Sequence, residues 1–481
     1  MCGSCLCSCF STVCVLALAN SGANILIVRP LVVLSYIDRA NIGNAKIEGI
    51  EADLGLTPKQ YQITLSIFFI GYILCEVPSN WILEKYFPQR PSIYIGIITL
   101  LWGIMMTLHG IVQNFGGIVA VRFLMGIFEA GLFPAAVTVL NKWYTKYELA
   151  TRLALFYTAS ALSGAFSGLL AYAIAKMDGV AGQEGWRWIF LLEGMATVLM
   201  GVITPFVLTD TPERRPKWLT DEECDYLIRR MVAQNGGERA NKEGKKLSLA
   251  LLKDVVTDWQ YYPFVLCYWS NTVPNYGMKF TLPQIIKNMG YSSSNAQLLS
   301  IPPYVAGAIS SVCFNMLGDK MRRRSYFLMI PQALVVISYC IITPLSPHIK
   351  DYIGACFFAV ILSNIGVYPI NPGTSSWASN NSAGAAKRSV ALAYVLSLSS
   401  VGGIFASYIF IESEAPGYPT GFGVSMAAAL AGIFAVAFLD FSYKRVNKKR
   451  DQMSIEEISE KYSEDDLARL GNRSPLFRYT R

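Results

Sequence analysis

Residues 92–112 read SIYIGIITLLWGIMMTLHGIV, a run without a single Asp, Glu, Lys or Arg. An α-helix rises about 1.5 Å per residue, so a run of this length crosses the roughly 30 Å hydrocarbon layer of a bilayer. The composition of the whole chain agrees, because 53% of its 481 residues are hydrophobic, only 15% are charged and the mean hydropathy is +0.37. This composition predicts a protein that uses lipid as its solvent.

Runs of this kind recur along the chain as six predicted spans, a polar gap and six more. Spans 1 to 6 are predicted at 23–44, 61–82, 92–112, 116–140, 150–175 and 186–208. Spans 7 to 12 are predicted at 260–288, 297–317, 325–344, 350–372, 388–412 and 420–443. The pattern predicts an all-α polytopic membrane protein with twelve transmembrane helices.

Polar segments mark the predicted domain boundaries. Residues 1–28 form an irregular leader rich in cysteine, which is either incidental or a membrane anchor if its cysteines are palmitoylated. Residues 209–258 carry both signs of charge and are predicted to be a solvated linker between an N-terminal half, 29–208, and a C-terminal half, 259–443. Residues 444–481 are predicted to be a cytoplasmic tail, of which 451–481 are predicted to be solvated and disordered or loosely amphipathic.

Basic residues gather at one side of the predicted spans. If the spans alternate in direction, that side holds Lys85, Arg90, Lys142, Lys146, Arg152, Lys320, Arg322, Arg323, Arg324, Lys387, Arg388 and the run Lys444 to Arg450. Loops rich in Lys and Arg stay in the cytoplasm, so both termini are predicted to be cytoplasmic. Topology therefore accounts for much of the net charge of +8, and no nucleic-acid partner is expected.

Enzyme and metal chemistry find little support in the sequence. The only histidines are His109 and His348, and no cysteine spacing is typical of a zinc site. No nucleophile elbow or phosphate-binding glycine loop is present, so neither an enzyme activity nor a cofactor is predicted.

Charged residues inside the spans are the informative positions. Span 1 contains YIDRANIGNAKIEG (36–49), with Asp38 and Arg39, and span 4 contains VRFLMGIFEAGLFPAA (121–136), with Arg122 and Glu129 two helical turns apart. Such residues cost about 2.5 to 3.5 kcal/mol each in hydrocarbon on insertion scales, so they normally face the interior of a bundle and serve transport. The alternative is a buried ion-pair network that only fixes helix packing.

Longer strings around these charges carry a family resemblance. They include YIDRANIGNAKIEGIEADLGLTPKQY (36–61), RFLMGIFEAGLFPAAVTVLNKWYTKYELATR (122–152), EGWRWIFLLEG (184–194) and NPGTSSWASNNSAGAAKRS (371–389). From about residue 30 to 443 the chain resembles the fungal allantoate permease family, which belongs to the anion:cation symporters of the major facilitator superfamily. The resemblance implies two six-helix bundles around a central cavity, with rocker-switch alternating access.

The resemblance also implies roles for the charged residues. Asp38 and Glu129 are expected to carry protons, Arg39 to contact an anionic substrate, and Arg122 to hold Glu129; Arg122 and Asn41 join Arg39 as candidate substrate-binding residues. The loop NMLGDKMRRRS (315–325) is similar to the superfamily signature G-x-L-x-D-R-x-G-R-R, with Asn315 replacing the first glycine. It implies gating by charge pairs, with candidates Asp319, Lys320, Arg323 and Arg324, and Glu84 and Lys85 in the equivalent loop between spans 2 and 3.

Further cavity candidates come from the second half of the chain. Span 7 carries Asn271, Asn275 and Tyr276 around Pro274, a set that suits a broken helix lining a cavity, although each residue could instead join helices by hydrogen bonds. Asn371 in span 10 is a further candidate, as is Ser400 in span 11, where relatives carry an Asn. For Glu76 in span 2, a snorkelling and a cavity-facing position both remain open.

These features predict a secondary transporter that takes up a small organic anion together with protons. The expected cargo is a carboxylate of the nicotinate, pantothenate or allantoate type, and the expected location is the plasma membrane, with a functional monomer. The alternative within transport is an exporter of an organic-acid secondary metabolite, and a non-transporting nutrient sensor is the alternative from another class.

Overall fold

The computed structural model describes residues 30–143, 160, 163–216, 219–234, 249–321, 323–383, 385–454, 456–458, 462–463 and 471–481. Within these ranges the secondary structure is helical and contains no strand. Spans 1 to 6 are the helices 30–47, Pro58–Tyr86, Pro91–His109, Phe115–Glu129 with Leu132–Trp143, Ser163–Ala175 and Gly185–Val207. Spans 7 to 12 are Tyr261–Asn288, Ser293–Leu299 with Ile301–Met321, Arg324–Leu345, Ile353–Asn380, Ala385–Ile409 and Pro419–Arg450.

Nine of the described helices are long and apolar enough to cross a membrane. The other three predicted spans correspond to helix 30–47, which carries three charged residues, to Ser163–Ala175, and to Tyr261–Asn288 with its asparagines and lysines. The all-α polytopic fold predicted from the sequence is therefore confirmed. Between the halves, the described linker contains the helices Asp221–Gln234 and Leu249–Thr257.

Local sequence signals set several helix starts. Thr57 caps span 2 in a capping box with Gln60, and Pro58 occupies the first helical position, where a missing N–H is harmless. Asn114 caps span 4 by accepting a hydrogen bond from the backbone N–H of Gly117. These caps fix where each helix begins after its loop.

Small residues allow close packing within the N-terminal half. Spans 3 and 6 approach so closely that a methyl group at Gly103 would lie 2.7 Å from the backbone nitrogen of Val198. A methyl group at Gly201 would lie 2.6 Å from the nitrogen of Leu100. In lipid, where helices gain no hydrophobic drive to associate, such close contact supplies much of the packing energy.

The two halves meet along spans 2 and 11 and along spans 1 and 7. Ser66 and Tyr408 share a hydrogen bond of 2.8 Å between their hydroxyl oxygens. Span 1 touches span 7 at Gly43, where a methyl group would lie 3.1 Å from the carbonyl oxygen of Lys279. Side chains of both halves therefore enclose the space between them.

The end of the molecule opposite the basic clusters is closed by polar contacts between the halves. Lys46 forms an ion pair of 3.5 Å with Glu412, and Gln297 donates a hydrogen bond of 3.0 Å to Glu48. Lys46 also pairs with Glu51 at 3.2 Å. Burial nevertheless raises the pKa of the Glu51 carboxyl above its ordinary value, against the opposing effect of Lys46.

The tail departs from its prediction. The last helix continues to Arg450 rather than ending near 443, and residues 471–481 pack on the basic end of the C-terminal half. Tyr479 stacks on Tyr443 with ring centroids 4.4 Å apart, and the side chain of Asn447 bonds both the carbonyl and the N–H of Tyr479. The prediction of a solvated tail is wrong for these residues, because their aromatic and backbone groups find partners on the helix ends. The cysteine-rich leader lies outside the described residues.

Candidate functional site

A narrow cavity of about 70 Å³ lies between the two halves near the middle of the spans. Six of the eight predicted substrate-binding residues line it: Arg39, Asn271, Asn275, Tyr276, Asn371 and Ser400. The N-terminal half, which supplies Arg39, also contributes Tyr36, Tyr72, Glu76, Phe133 and Ser160.

The Arg39 guanidinium joins the halves across this cavity. Its Nε donates a hydrogen bond of 2.6 Å to Oε1 of Glu129, and its Nη1 donates one of 2.9 Å to the hydroxyl of Tyr276. Ser35 donates a further hydrogen bond to Glu129, and the guanidinium lies 4.8 Å from the ring centroid of Tyr72. A buried carboxylate and a cavity-lining cation thus form one ion pair.

Arg122 does not have the expected partner. Glu129 pairs with Arg39, whereas Nε and Nη2 of Arg122 have no hydrogen-bond partner among the described residues. Arg122 is buried in the N-terminal half and does not line the cavity. The prediction that Arg122 holds Glu129 is therefore wrong in this structure, because the rotation of span 1 brings Arg39 to the same carboxylate.

Asp38 points away from Arg39, as expected for neighbours on a helix. Trp102 Nε1 donates a hydrogen bond of 2.6 Å to Asp38 Oδ2, and Thr197 donates one of 3.3 Å to the same oxygen. Oδ1 has no partner in the described part of the chain. Asp38 therefore lies inside the N-terminal half, between spans 3 and 6.

Asn41 lies inside the same half and does not line the cavity. It donates a hydrogen bond to Glu193 and accepts one of 3.1 Å from Ser167. Its predicted contact with substrate does not match this position, because residue 41 follows Asp38 by three positions and shares its helix face. Sequence reasoning missed Glu193, although a single acid in the apolar string WIFLLEG (188–194) was the visible signal.

Glu76 faces the cavity, which decides between the two positions left open by the sequence. The residue is buried, and Ser397 of span 11 donates a hydrogen bond of 2.9 Å to its Oε2. On the opposite wall, Asn271 donates a hydrogen bond of 2.6 Å to the carbonyl of Val367. Ser400 bonds the carbonyl of Leu396 in its own helix at 3.2 Å. These contacts orient the polar groups that surround the cavity.

The predicted gating residues lie at the basic end of the molecule. Arg324 pairs with Asp319, and Arg323 lies over the ring of Tyr326 at 5.8 Å. Lys320 is exposed, as are Glu84 and Lys85, and Lys85 lies 4.4 Å from the ring centroid of Trp81. Their gating role stays a prediction. Among the described residues, no group of three or more His, Cys, Asp or Glu side chains could hold a metal ion.

Comparison with known proteins places this geometry in a family. The model of the Major Facilitator Superfamily matches residues 30–407 and 264–460. The chain is 35% identical to the MFS-type transporter cnsO of Penicillium expansum, over 93% of this chain and 87% of that protein. It is 30% identical to the MFS-type transporter efuF of Hormonema carpetanum, over 87% of this chain and 82% of that protein.

Solved structures agree on the fold. The proton:xylose symporter XylE bound to 6-bromo-6-deoxy-D-glucose superposes with a TM-score of 0.67 at 14% identity, over 87% of this chain and 95% of that chain. A bacterial homologue of the human lysosomal transporter Spinster, inward-facing and occupied, has a TM-score of 0.65 at 17% identity, over 87% and 96% of the two chains. At these identities the likeness concerns the fold alone.

Proposed function

The chain belongs to the major facilitator superfamily and is a multi-pass membrane transporter rather than an enzyme, and on that premise we propose that it couples protons to the uptake of a small organic anion. The proposed cargo is a carboxylate of the nicotinate, pantothenate or allantoate type, as in the allantoate permease family of anion:cation symporters. The proposed site is the central cavity, in a functional monomer of the plasma membrane with both termini in the cytoplasm.

The contact that carries the proposal is the ion pair between Arg39 and Glu129. With Glu129 ionised, the pair is neutral and Arg39 has little charge to offer a ligand. Protonation of Glu129 removes the negative charge but leaves the guanidinium, which can then attract an anion. Proton binding and anion binding therefore favour each other, and by linkage the effect is reciprocal.

The hydrogen bond from Arg39 to Tyr276 extends this coupling to the other half of the molecule. Arg39 belongs to span 1 and Tyr276 to span 7, so a change in the Arg39–Glu129 pair alters a contact between the bundles. Alternating access in this superfamily requires such contacts to form and break. In this proposal Asp38 is a second proton-binding acid, and the Asp319–Arg324 pair belongs to the gate at the basic end.

Transport by the purified full-length chain in proteoliposomes tests the proposal. We expect labelled nicotinate, pantothenate or allantoate to accumulate faster when the interior is made alkaline. In Glu129→Gln the gradient should no longer drive accumulation, whereas exchange of internal for external substrate continues. Glu222→Gln, an exposed acid of the linker helix Asp221–Gln234, is the matched control and should behave as the wild type.

Two results would contradict the proposal. Uptake that does not depend on the pH gradient would contradict proton coupling. Accumulation at the wild-type level by Glu129→Gln would contradict a role of Glu129 in that coupling. Vesicles loaded with the same carboxylates test the alternative of an exporter, because an exporter would release them faster when protons enter from outside.

A further inference from the structure

A second cation, which has no carboxylate partner in the described part of the chain, lies beside the cavity. Lys279 in span 7 is only 2% exposed. Its Nζ donates a hydrogen bond of 3.3 Å to the hydroxyl of Ser160, and it lies 4.5 Å from the ring centroid of Tyr36. Ser160 and Tyr36 both line the cavity and both belong to the N-terminal half. The ammonium group is therefore one side chain away from the cavity, at the boundary between the halves.

The helical register places Lys279 on the same face of span 7 as two residues that line the cavity. Asn271, Asn275 and Lys279 follow each other at intervals of four residues, so they share one face of span 7. The first two line the cavity, and Lys279 lies one turn beyond them, towards the end closed by Lys46 and Glu412. This face of span 7 thus carries two amides followed by a cation.

Spans 1 and 7 close on each other at this level. A methyl group at Gly43 would lie 3.1 Å from the carbonyl oxygen of Lys279 and 3.0 Å from that of Phe280. A separation of the halves at this end must therefore move Lys279 away from Tyr36 and Ser160. The same movement would expose the Lys279 ammonium group to the substrate pathway between the halves.

The charges around the cavity leave Lys279 uncompensated. In the described part of the chain, Lys279 forms no ion pair, whereas Glu129 pairs with Arg39 and Glu76 accepts a hydrogen bond from Ser397. A hydroxyl and an aromatic ring stabilise a buried ammonium only in part. Burying an unpaired charge is unfavourable, and an anion at this place would offset that cost.

We infer that Lys279 binds the anionic group of the substrate and that this contact helps the halves close around it. The inference rests on the proposed function and narrows its substrate class to anions with one carboxylate at this end of the cavity. Arg39 then provides a charge that Glu129 switches, and Lys279 provides a second cationic group without a carboxylate partner among the described residues. Because the bound carboxylate compensates Lys279, it lowers the free energy of the closed form relative to the open one.

Matched pairs of charged and uncharged probes test this inference. Nicotinate is compared with nicotinamide, pantothenate with panthenol, and allantoate with allantoin, as substrates of the full chain in proteoliposomes and as ligands that raise its thermal stability. The variants are Lys279→Met, Lys279→Arg and, as a matched control, Lys350→Met, which removes an exposed lysine from a loop.

We expect Lys279→Met to raise the KM for the transported carboxylate by about 30-fold or more, the effect of removing one partner of a buried charge pair. The uncharged member of the pair should be affected much less, so the preference for the carboxylate is lost. Lys279→Arg should recover part of the affinity because it keeps the charge, and Lys350→Met should match the wild type.

The possible failures are distinguishable. If the wild type neither transports nor binds any of the carboxylates, the proposed function fails and the inference falls with it. If the wild type transports a carboxylate and Lys279→Met keeps the same KM and the same preference over the uncharged probe, only the inference is overturned. Equal losses for both members of a pair would likewise overturn it, since they indicate a packing role.

Discussion

Arg39 is bonded to both halves of the molecule through one guanidinium group. Nε bonds Glu129 in span 4 and Nη1 bonds Tyr276 in span 7. A guanidinium presents several donors in a fixed plane, so it can serve two partners without changing its conformation. This arrangement makes Arg39 sensitive to the charge on Glu129 and to the position of span 7 at the same time.

Removing one partner of this ion pair should destabilise the folded protein more than removing both partners. Arg39→Gln leaves the fully buried Glu129 without its counter-charge. For buried ion pairs, such a change lowers the free energy of unfolding by about 3 to 5 kcal/mol. We expect Arg39→Gln to lower the Tm of the detergent-solubilised protein, and Arg39→Gln/Glu129→Gln to recover most of the loss. Equal or additive losses in the double variant would show that the two side chains do not stabilise each other.

Sequence reasoning found the buried charges but not all of their partners. Asp38, Arg39, Arg122 and Glu129 were predictable because a charge in a hydrocarbon span is expensive and must face the interior. The pairing of Glu129 with Arg39 rather than Arg122 depends on how span 1 is rotated against span 4, which no spacing within either helix determines. The positions of Glu193 and Lys279 depend in the same way on neighbouring helices.

Among the helices, the contact between spans 2 and 4 depends on glycine. A methyl group at Gly126 would lie 2.2 Å from the carbonyl oxygen of Phe68, and one at Gly71 would lie 2.5 Å from that of Phe123. The two backbones therefore touch directly. The sequence of span 4 alone does not identify span 2 as the neighbour of Gly126.

Gly126→Ala should force spans 2 and 4 apart. Overpacking of this kind costs about 1 to 3 kcal/mol, so we expect a lower Tm and a smaller yield of monodisperse protein in size-exclusion chromatography. Gly116→Ala in the same helix is the control, because its methyl group would meet nothing closer than 3.6 Å. Alanine is the better helix former by about 1 kcal/mol, so the control should be neutral or slightly stabilising. Equal effects of the two substitutions would contradict the contact.

For the molecule as a whole, hydropathy predicts the twelve spans. It does not predict how the tail packs, which only the structure shows. Hydropathy identifies long apolar helices because lipid admits little else. It carries no information on the tail, whose contacts are aromatic stacking and hydrogen bonds to the ends of helices. The end of span 12 was misplaced for the same reason, since its last turns are charged but remain helical up to Arg450.

Asn447→Ala should release the tail. Asn447 makes two hydrogen bonds to the backbone of Tyr479, so their loss should free the backbone around Arg473 and Arg478, whose side chains are already exposed, to enter a protease site. We expect trypsin to cleave after these arginines several-fold faster in Asn447→Ala than in the wild type, by mass spectrometry of the native protein. Lys444→Ala, an exposed residue of the same helix, should not change the rate. An unchanged rate in Asn447→Ala would mean that other contacts suffice to hold the tail.

Lys387 ties three separate parts of the chain together at the start of span 11. Its Nζ lies 2.9 Å from Asp254 and 3.0 Å from Asp258, next to the linker helix Leu249–Thr257, and 2.8 Å from Asn472 of the tail. The C-terminal half therefore consists of more than six membrane helices. This half also includes the second linker helix and the tail. A protein or lipid that binds either of them would therefore also restrain one half of the transporter.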